Sequence, residues 1–476
     1  MTKKFAIIGA GIGGLSSALL LQSMGHDVDI FEAHSLPGGC ASFYRRGPYQ
    51  FDVGATTVSG ILNNGLLTRF LEQIDLKYYF LKSDPGIVFH GPWGSIERCA
   101  DTEQWITNLE NSFPHLDHRT IWKKIDMLSE KSWNLFSNVH HFPPKSLSDL
   151  VMQLDASLIK KLTLVPHLLT SFSHFLGDYL KNEDLKKLID HLLLISTQSY
   201  SQQVPALVGC LGATYPADTW YPEGGVGEFL KFLSQSFKER GGKIFFKTKI
   251  EKVSYKDKFM LQSQKGDFGS YDQLILSTPV WNNASFFDGK IKEFFSKKSS
   301  YFAKAWGAMT GYGIYKGPSL HQLYHQVHLE NDKSLFFSFS RPGDLKRAPQ
   351  SEQVFSVSTH VNVSKVPSKV TDEKRYHEFK QSFKEDIESA IQKIGIQLSE
   401  MELESMGTPQ TFEFYTHRYR GYVGGIPQSF EYPLWNFMSN RTPFDGLWLV
   451  GDTVFPGQGI VGVVGGAKML SSYFYK

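Results

Sequence analysis

The sequence predicts an α/β protein, α+β overall, whose nucleotide-binding domain is assembled from separated parts of the chain. The first observation is the amino terminus, where a strand, a glycine turn, a helix, a second strand and an acid follow one another over residues 3–33. The second is the carboxyl end, where an apolar strand at 447–450 leads to a glycine-rich helix start. The third is a strand-rich stretch after a helix at 228–239, which indicates a return to the nucleotide domain.

The amino-terminal turn has the spacing G-x-G-x-x-G, formed by Gly9, Gly11 and Gly14. Gly9 permits the tight turn, Gly11 lets the backbone approach a pyrophosphate, and Gly14 lets helix and strand pack closely. Glu32 ends the second strand about 20 residues on, where a carboxylate accepts hydrogen bonds from ribose hydroxyls. Because a carboxylate there disfavours a 2′-phosphate, the motif predicts a dinucleotide other than NADP.

Two further loops favour FAD over NAD. Pro37, Gly38 and Gly39 form a turn soon after the ribose acid, and Gly54 is a second glycine that lets the backbone approach a ligand. A longer dinucleotide needs such a phosphate- or ring-contacting loop directly after the acid. We therefore expect FAD.

The carboxyl end supplies the other half of the expected flavin site. Asp452 follows Gly451 at the end of a buried strand, where it can hydrogen-bond a ribityl hydroxyl. The helix that starts near Gly459 and Ile460 directs its positive dipole end at the N1–C2=O edge of the ring. That stabilises negative charge by about 0.3–1 kcal/mol, and by up to about 2 when partly buried. The protein is thus expected to tune the redox chemistry of the flavin.

Composition and charge exclude several classes of protein. With 50 basic and 47 acidic residues in 476, the net charge of +3 gives no reason to expect a nucleic-acid partner. Cys40, Cys99 and Cys210 lie far apart and form no disulfide pattern, which predicts a reducing compartment. After the amino terminus no uninterrupted apolar run is long enough to span a bilayer, so we expect a cytoplasmic protein.

The amino terminus has a competing interpretation. Lys3 and Lys4 before an apolar run are also typical of a signal peptide, and Gly9 to Gly13 gives the G-x-x-x-G of a membrane helix. Four glycines within six residues make a poor membrane helix, and no small-residue cleavage site precedes the second strand. Export is therefore disfavoured.

Residues 101–200 are predicted to be mostly helical and leave two interpretations open. One broad apolar face, with Lys160 and Lys161 beside it, is formed by Leu158, Leu162, Leu164, Val165, Leu168, Leu169, Phe172 and Phe175. Such a face either docks on a bilayer, with the lysines at the headgroups, or packs on the core as a helical lid. Both can hold.

Three histidines have a spacing that suits a metal, but no metal site is predicted. His321, His325 and His328 lie on or beside predicted strands, which spread alternate side chains over both faces. No acid joins them to complete a ligand set.

Five segments together resemble one known family. They are GAGIGGLSSALLL, FEAHSLPGGCASF with FDVGATTVSG, YPEGGVGEF with GGKI, TPQTFEFYTHRYRGYVGGIPQ and LVGDTVFPGQGIVGVVGG. As a set they are similar to the phytoene desaturase, carotenoid isomerase and retinol saturase family of FAD-dependent enzymes. They cover both ends and the middle, whereas 101–200 matches less clearly.

The resemblance implies a glutathione-reductase-type Rossmann domain for FAD with an inserted sheet-and-helix substrate domain. The expected segments are FAD-binding at 1–85, 218–283 and 440–476, a helical lid at 86–217 and a substrate domain at 284–439. The expected cofactor-binding residues are Gly9, Gly11, Ile12, Gly13, Gly14, Glu32, Ala33, Gly38, Gly39, Cys40, Gly54, Ala55, Val253, Gly451, Asp452, Gly459 and Ile460. Val253 is expected on a strand whose backbone faces the adenine.

The implied activity is an oxidoreductase reaction at C–C or C=C bonds of a polyene or isoprenoid lipid, with hydride or electron transfer at flavin N5. Desaturation, cis–trans isomerisation and retinol-saturase-like reduction stay open. Two further alternatives are a flavin amine oxidase and a non-enzymatic prenyl-binding protein of the same architecture.

An apolar substrate has no ionisable reacting group, so no catalytic residue is predicted. Glu413, His417 and Arg418 are candidates only because they lie in a family-like segment, and surface salt links are the simpler expectation. Since such a substrate already lies in a bilayer, we expect peripheral contact with the inner face of a membrane. No pattern predicts the oligomeric state.

Overall fold

The computed structural model describes residues 2–138, 142–144, 163–330 and 332–475, without the side chains of 137 and 138. The strands are β1 (Lys4–Ile8), β2 (Asp27–Phe31), β3 (Phe43–Arg46), β4 (Tyr49–Asp52), β5 (Phe80–Lys82), β6 (Ile87–Gly91), β7 (Gly94–Arg98), β8 (Trp220–Pro222), β9 (Lys243–Phe245), β10 (Ile250–Tyr255), β11 (Phe259–Ser263), β12 (Gly266–Tyr271), β13 (Gln273–Leu276), β14 (Trp306–Tyr315), β15 (Tyr324–His328), β16 (Ser334–Phe339), β17 (Gln353–Asn362), β18 (Met401–Gly407) and β19 (Leu447–Leu449). The helices are α1 (Ile12–Ser23), α2 (Leu66–Gln73), α3 (Thr102–Ser112), α4 (His118–Asn138), α5 (Val165–Leu169), α6 (Phe172–Leu176), α7 (Glu183–Thr197), α8 (Ala206–Thr214), α9 (Val226–Glu239), α10 (Val280–Asn283), α11 (Gly289–Tyr301), α12 (Glu373–Lys393), α13 (Pro409–Thr416) and α14 (Gly459–Ser472).

A parallel sheet of five strands, in the order β19-β13-β1-β2-β9, carries the predicted nucleotide domain. Its central residues are apolar runs, as expected for strands covered on both faces. Ile7 pairs with Ile275 on one side and with Ile30 on the other. The sheet thus joins the amino terminus, the middle and the carboxyl end of the chain.

Helices cover one face of this sheet, and a small antiparallel sheet covers part of the other. Leu15 and Leu19 of α1, Phe229 of α9 and Val464 of α14 are fully buried in a core that includes β1 and β2. On the opposite face, Phe31 packs against residues of the sheet β10-β11-β12. Two two-stranded antiparallel pairs, β3-β4 and β5-β8, lie beside these layers.

A second large sheet has seven strands in the order β18-β14-β17-β16-β15-β6-β7, and all its pairs are antiparallel except β15 with β6. Side chains alternate across it. Met309, Phe337 and Val357 pack in one core with Phe383 and Ile387 of α12, whereas the intervening residues point to the opposite face.

The predicted fold class is confirmed, and the domain boundaries given above stay a prediction. The expected apolar face over 158–175 falls partly outside the described residues, since Leu158, Lys160, Lys161 and Leu162 are not among them. Of its described members, Leu164 and Phe172 are buried and Leu168 and Phe175 pack partly on the core, whereas Val165 and Leu169 are exposed. None of the helices in the described ranges combines the length and the apolar character that crossing a membrane requires.

Candidate functional site

A cavity of about 1310 Å³ extends from the carboxyl edge of the parallel sheet to the inner face of the seven-stranded sheet. Fifteen of the seventeen predicted cofactor-binding residues line it: Gly9, Gly11, Ile12, Gly13, Glu32, Ala33, Gly38, Gly39, Cys40, Gly54, Ala55, Gly451, Asp452, Gly459 and Ile460. Gly14 and Val253 do not line it. In place of Val253, Ile250 and Glu251 of the same strand do.

Two glycines of the amino-terminal turn, Gly11 and Gly14, have different structural roles. A Cβ at Gly14 would lie 2.0 Å from the carbonyl oxygen of Gly9, so a side chain there collides with the backbone. A Cβ at Gly11 would meet nothing closer than the Gly38 carbonyl oxygen at 3.9 Å, on the side of the cavity. Gly14 therefore allows the turn to pack, and Gly11 keeps the space beside it open. Gly11 is the N-cap of α1 and has no side chain to cap it, so the first N–H groups of the helix remain available to a phosphate.

Glu32 is held by backbone at the end of β2. Its Oε2 accepts a hydrogen bond from the Ala10 N–H at 2.8 Å, and its Oε1 accepts one from the His34 N–H at 2.7 Å. Burial raises the pKa of the carboxyl, while these two donors oppose that rise. Each oxygen keeps a second lone pair, which suits a ribose hydroxyl.

Asp452 forms a largely enclosed ion pair that the sequence did not reveal. Arg418 Nη2 lies 2.8 Å from Asp452 Oδ2, and the two side chains are 11% and 19% exposed. The expectation of a surface salt link is therefore wrong for Arg418. Glu413 is exposed and accepts the Arg420 N–H at 3.0 Å, whereas His417 ends α13 and lines the cavity.

Cys40 lies beside this ion pair. Burial raises the pKa of its thiol, although the nearby Arg418 guanidinium opposes the rise. Cys40 therefore contributes a neutral, compact lining group next to the glycine turn.

A second buried ion pair joins the nucleotide domain to the seven-stranded sheet. Arg347 Nη1 lies 3.0 Å from Asp52 Oδ2, and both side chains are at most 2% exposed. Asp52 also accepts the N–H groups of Val226 and Gly227, at the start of α9. A Cβ at Gly225 would lie 2.5 Å from Asp52 Oδ2, which explains a glycine there. The segment YPEGGVGEF thus serves this junction. No sequence signal could have paired Asp52 with a residue so distant along the chain.

The far half of the cavity has one apolar wall and one mixed wall. Helices α4, α7 and α8 supply Trp133, Phe136, Leu194, Val208 and Leu211. The opposite wall is a row of register partners across the seven-stranded sheet, Thr310, Ser358, Phe336 and Gln326. Sequence reasoning missed these residues, although the alternation within each strand is the signal that distinguishes this face from the core face.

Two of the three histidines, His325 and His328, pair with other histidines, whereas His321 is exposed. His325 Nδ1 lies 3.0 Å from His90 Nε2, and His328 Nδ1 lies 3.3 Å from His191 Nδ1. Burial lowers the pKa of both His90 and His325 to about 4. Across the described parts of the chain, no three His, Cys, Asp or Glu side chains lie close enough to hold a metal ion.

Comparison with known proteins agrees with this geometry. Residues 7–74 match the family model described as an NAD(P)-binding Rossmann-like domain. The chain is 27% identical to prolycopene isomerase 1 of an Oncidium hybrid cultivar, over 96% of this chain and 81% of that protein. It is 26% identical to the Arabidopsis thaliana prolycopene isomerase, over 96% of this chain and 80% of that one.

Solved structures give the same fold. An oxidoreductase from Methanosarcina mazei superposes with a TM-score of 0.63 at 16% identity, covering 98% of this chain and 100% of that one. The chain is similar to FAD-dependent carotenoid and retinol oxidoreductases. It is an enzyme, and its cofactor is FAD.

The residues of this oxidoreductase fit FAD. The cradle that Gly11 leaves open suits the pyrophosphate, Glu32 suits the ribose, and Asp452 suits the ribityl chain. Gln458, which precedes α14, donates from its Nε2 to the Ser196 carbonyl, whereas its Oε1 is buried without a partner among the described residues. Because it lines the cavity, this acceptor suits the N–H of a flavin ring.

Proposed function

We propose that this protein catalyses cis–trans isomerisation of conjugated double bonds in an apolar polyene lipid, with no net oxidation. The observation that carries the proposal is the continuity of the cavity: the FAD cradle opens directly into a space walled by Trp133, Phe136, Leu194, Val208 and Leu211. The two prolycopene isomerases support isomerisation over the other reactions, because they are 27% and 26% identical to the chain whereas a carotenoid desaturase aligned over the same share is 23% identical.

The chain's own residues bind and orient the substrate. No residue of α4, α7, α8 or strands β14–β17 that lines the cavity within the described ranges carries a charge at neutral pH. The charged lining residues are Glu32, Arg46, Lys249, Glu251, Arg418 and Asp452, all outside those elements. The far half therefore holds an apolar chain and excludes water, and FAD, when bound, supplies reversible electron transfer.

Product analysis tests the proposal. FAD-loaded protein is incubated anaerobically with a poly-cis polyene, with the flavin reduced in one sample and oxidised in the other. Isomers are then separated, and their masses compared with that of the substrate. We expect a new geometric isomer of unchanged mass. A loss of two hydrogen atoms would instead establish desaturation, and a gain of two would establish saturation; either replaces isomerisation.

We further propose contact with a membrane surface through Val165 and Leu169. These side chains are 41% and 64% exposed, next to a helical layer that packs on the core. Replacing Leu169 with Glu is expected to lower co-sedimentation with phospholipid vesicles. Tyr79→Glu is the control, because Tyr79 is also exposed, at 67%. It should leave co-sedimentation with the vesicles unchanged. Equal sedimentation of L169E and wild-type protein would remove this surface from the proposal.

A further inference from the structure

The sheet wall of the cavity carries a glutamine whose hydrogen-bonding capacity is unused. Gln326 lies on β15 and is 3% exposed. Its side-chain Oε1 is buried and has no hydrogen-bond partner among the described residues, although the residue lines the cavity. An unpaired buried acceptor costs folding free energy unless a ligand supplies the donor. An apolar hydrocarbon cannot supply one.

Gln326 lies further along β15 than the residue that contacts the loop after Gly54 and Ala55. Two residues earlier on the same strand, Tyr324 donates a hydrogen bond to the Thr56 carbonyl at 3.2 Å, in the loop that follows Gly54 and Ala55. Two residues along a strand span about 7 Å. A group that reaches Gln326 therefore lies about 7 Å along β15 from the residue that contacts this loop.

The neighbours of Gln326 are apolar or neutral. Phe336 lies directly opposite it on β16, and Ser334, two residues earlier on β16, also lines the cavity. His360 lines the cavity from β17, and burial lowers its pKa to about 4, so its imidazole is neutral at pH 7. A carboxylate would find no cation on these strands, and an ammonium group would find no acid there.

We propose that the substrate is a long apolar chain with a neutral hydroxyl end group, whose O–H donates to the carboxamide oxygen of Gln326. This inference rests on the proposed function, which supplies the apolar chain. The unpaired atom is an acceptor, so it favours a ligand with a donor and distinguishes an alcohol from a hydrocarbon.

Binding measurements test the end group without requiring turnover. FAD-loaded protein in detergent micelles is titrated with a polyene alcohol, all-trans-retinol, and with the hydrocarbon that carries hydrogen in place of its hydroxyl. Quenching of tryptophan fluorescence reports occupancy, since Trp133 lines the cavity. We expect the wild-type protein to bind the alcohol about tenfold more tightly, the effect of one additional hydrogen bond. The corresponding carboxylic acid is expected to bind more weakly than the alcohol.

Substitutions of Gln326 test whether this residue causes the preference for the alcohol. Gln326→Leu is expected to reduce the preference for the alcohol to within about twofold. Phe336→Leu, at the register partner, is the matched control: it should weaken both ligands and keep their ratio. Gln326→Met keeps an unbranched side chain and serves where Gln326→Leu does not fold. Equal or tighter binding of the hydrocarbon by wild-type protein would overturn the inference, as would an unchanged ratio in the Gln326 variants.

The outcome is separable from that of the isomerisation assay. A preserved alcohol preference without any isomer formation would overturn the proposed function and leave the end-group site supported. Isomer formation with equal Kd values for alcohol and hydrocarbon would support the proposed function and overturn the end-group site.

Discussion

The two halves of the cavity are built from different parts of the polypeptide. The cofactor half is shaped by backbone: glycines at the turn before α1, a carboxylate held by two N–H groups, and the start of α14. The far half is shaped by side chains that converge from α4, α7, α8 and one face of a sheet. Backbone shape depends on local spacing, whereas side-chain convergence depends on how distant segments pack. Substrate preference can therefore change in the far half while the FAD site is kept.

The largest expected effect comes from breaking the buried ion pair between Asp52 and Arg347. Arg347→Met leaves the Asp52 carboxylate buried without its partner, which should cost about 3–5 kcal/mol of unfolding free energy. Urea unfolding of the purified variant measures this. Arg46→Met breaks a pair in which the arginine side chain is 60% exposed and should change stability by less than about 1 kcal/mol. Equal losses of unfolding free energy in the two variants would show that the buried ion pair contributes no more to stability than the exposed one.

The histidine pair in the seven-stranded sheet predicts acid sensitivity. The pKa of His90 and of His325 is about 4 in the folded protein because both are buried, against 6.5 for an ordinary histidine. Between these values the unfolded chain binds more protons, so stability is complete above about pH 6.5 and falls as the pH drops toward 4. Each group contributes up to about 3 kcal/mol.

Unfolding free energies measured across this pH range check the prediction. His325→Gln should reduce the change of unfolding free energy with pH, because one of the two imidazoles is then absent. A wild-type stability that stays constant from pH 6.5 to pH 4 would contradict it.

Glu32→Gln tests the cofactor half through the ribose contact. A single amide oxygen cannot serve both the Ala10 and His34 N–H groups and a ribose hydroxyl. The loss of a charged acceptor should weaken FAD binding by roughly 1.5–3 kcal/mol. Equilibrium titration of apoprotein with FAD gives the Kd. Glu239→Gln, at an exposed carboxylate of α9 outside the cavity lining, is the control, and an unchanged Kd in the Glu32 variant would remove Glu32 from the site.

The two glycines of the turn should fail in different ways. Gly14→Ala places a Cβ against the Gly9 carbonyl and should lower the stability of the apoprotein by about 1–3 kcal/mol. Gly11→Val should leave that stability nearly unchanged and abolish FAD retention, because its side chain enters only the open space. Thermal unfolding and flavin content of both variants measure the difference. A Gly11→Val protein that keeps a full complement of flavin would refute the phosphate cradle.

The difference between the cofactor half and the far half of the cavity also explains which site residues could be predicted from the sequence. Gly9, Gly11, Glu32 and Asp452 follow from spacing, because each lies at the end of a strand in a recognisable turn. Spacing carries no comparable signal for Arg418 beside Asp452, because Arg418 lies in the segment that follows α13, distant along the chain. Val253 shows the same limit on a smaller scale: it does not line the cavity, whereas Ile250 and Glu251 of the same strand do.

We infer that FAD and an apolar chain occupy adjoining parts of one cavity, so the visible spectrum of the flavin should respond when a polyene binds. FAD-loaded protein is titrated with a polyene, and Leu211→Asp, which places a charge in the apolar wall, is titrated in parallel. We expect a saturable change in the flavin absorbance of the wild-type protein that is lost in the variant. A flavin spectrum that stays unchanged while the polyene binds would contradict it.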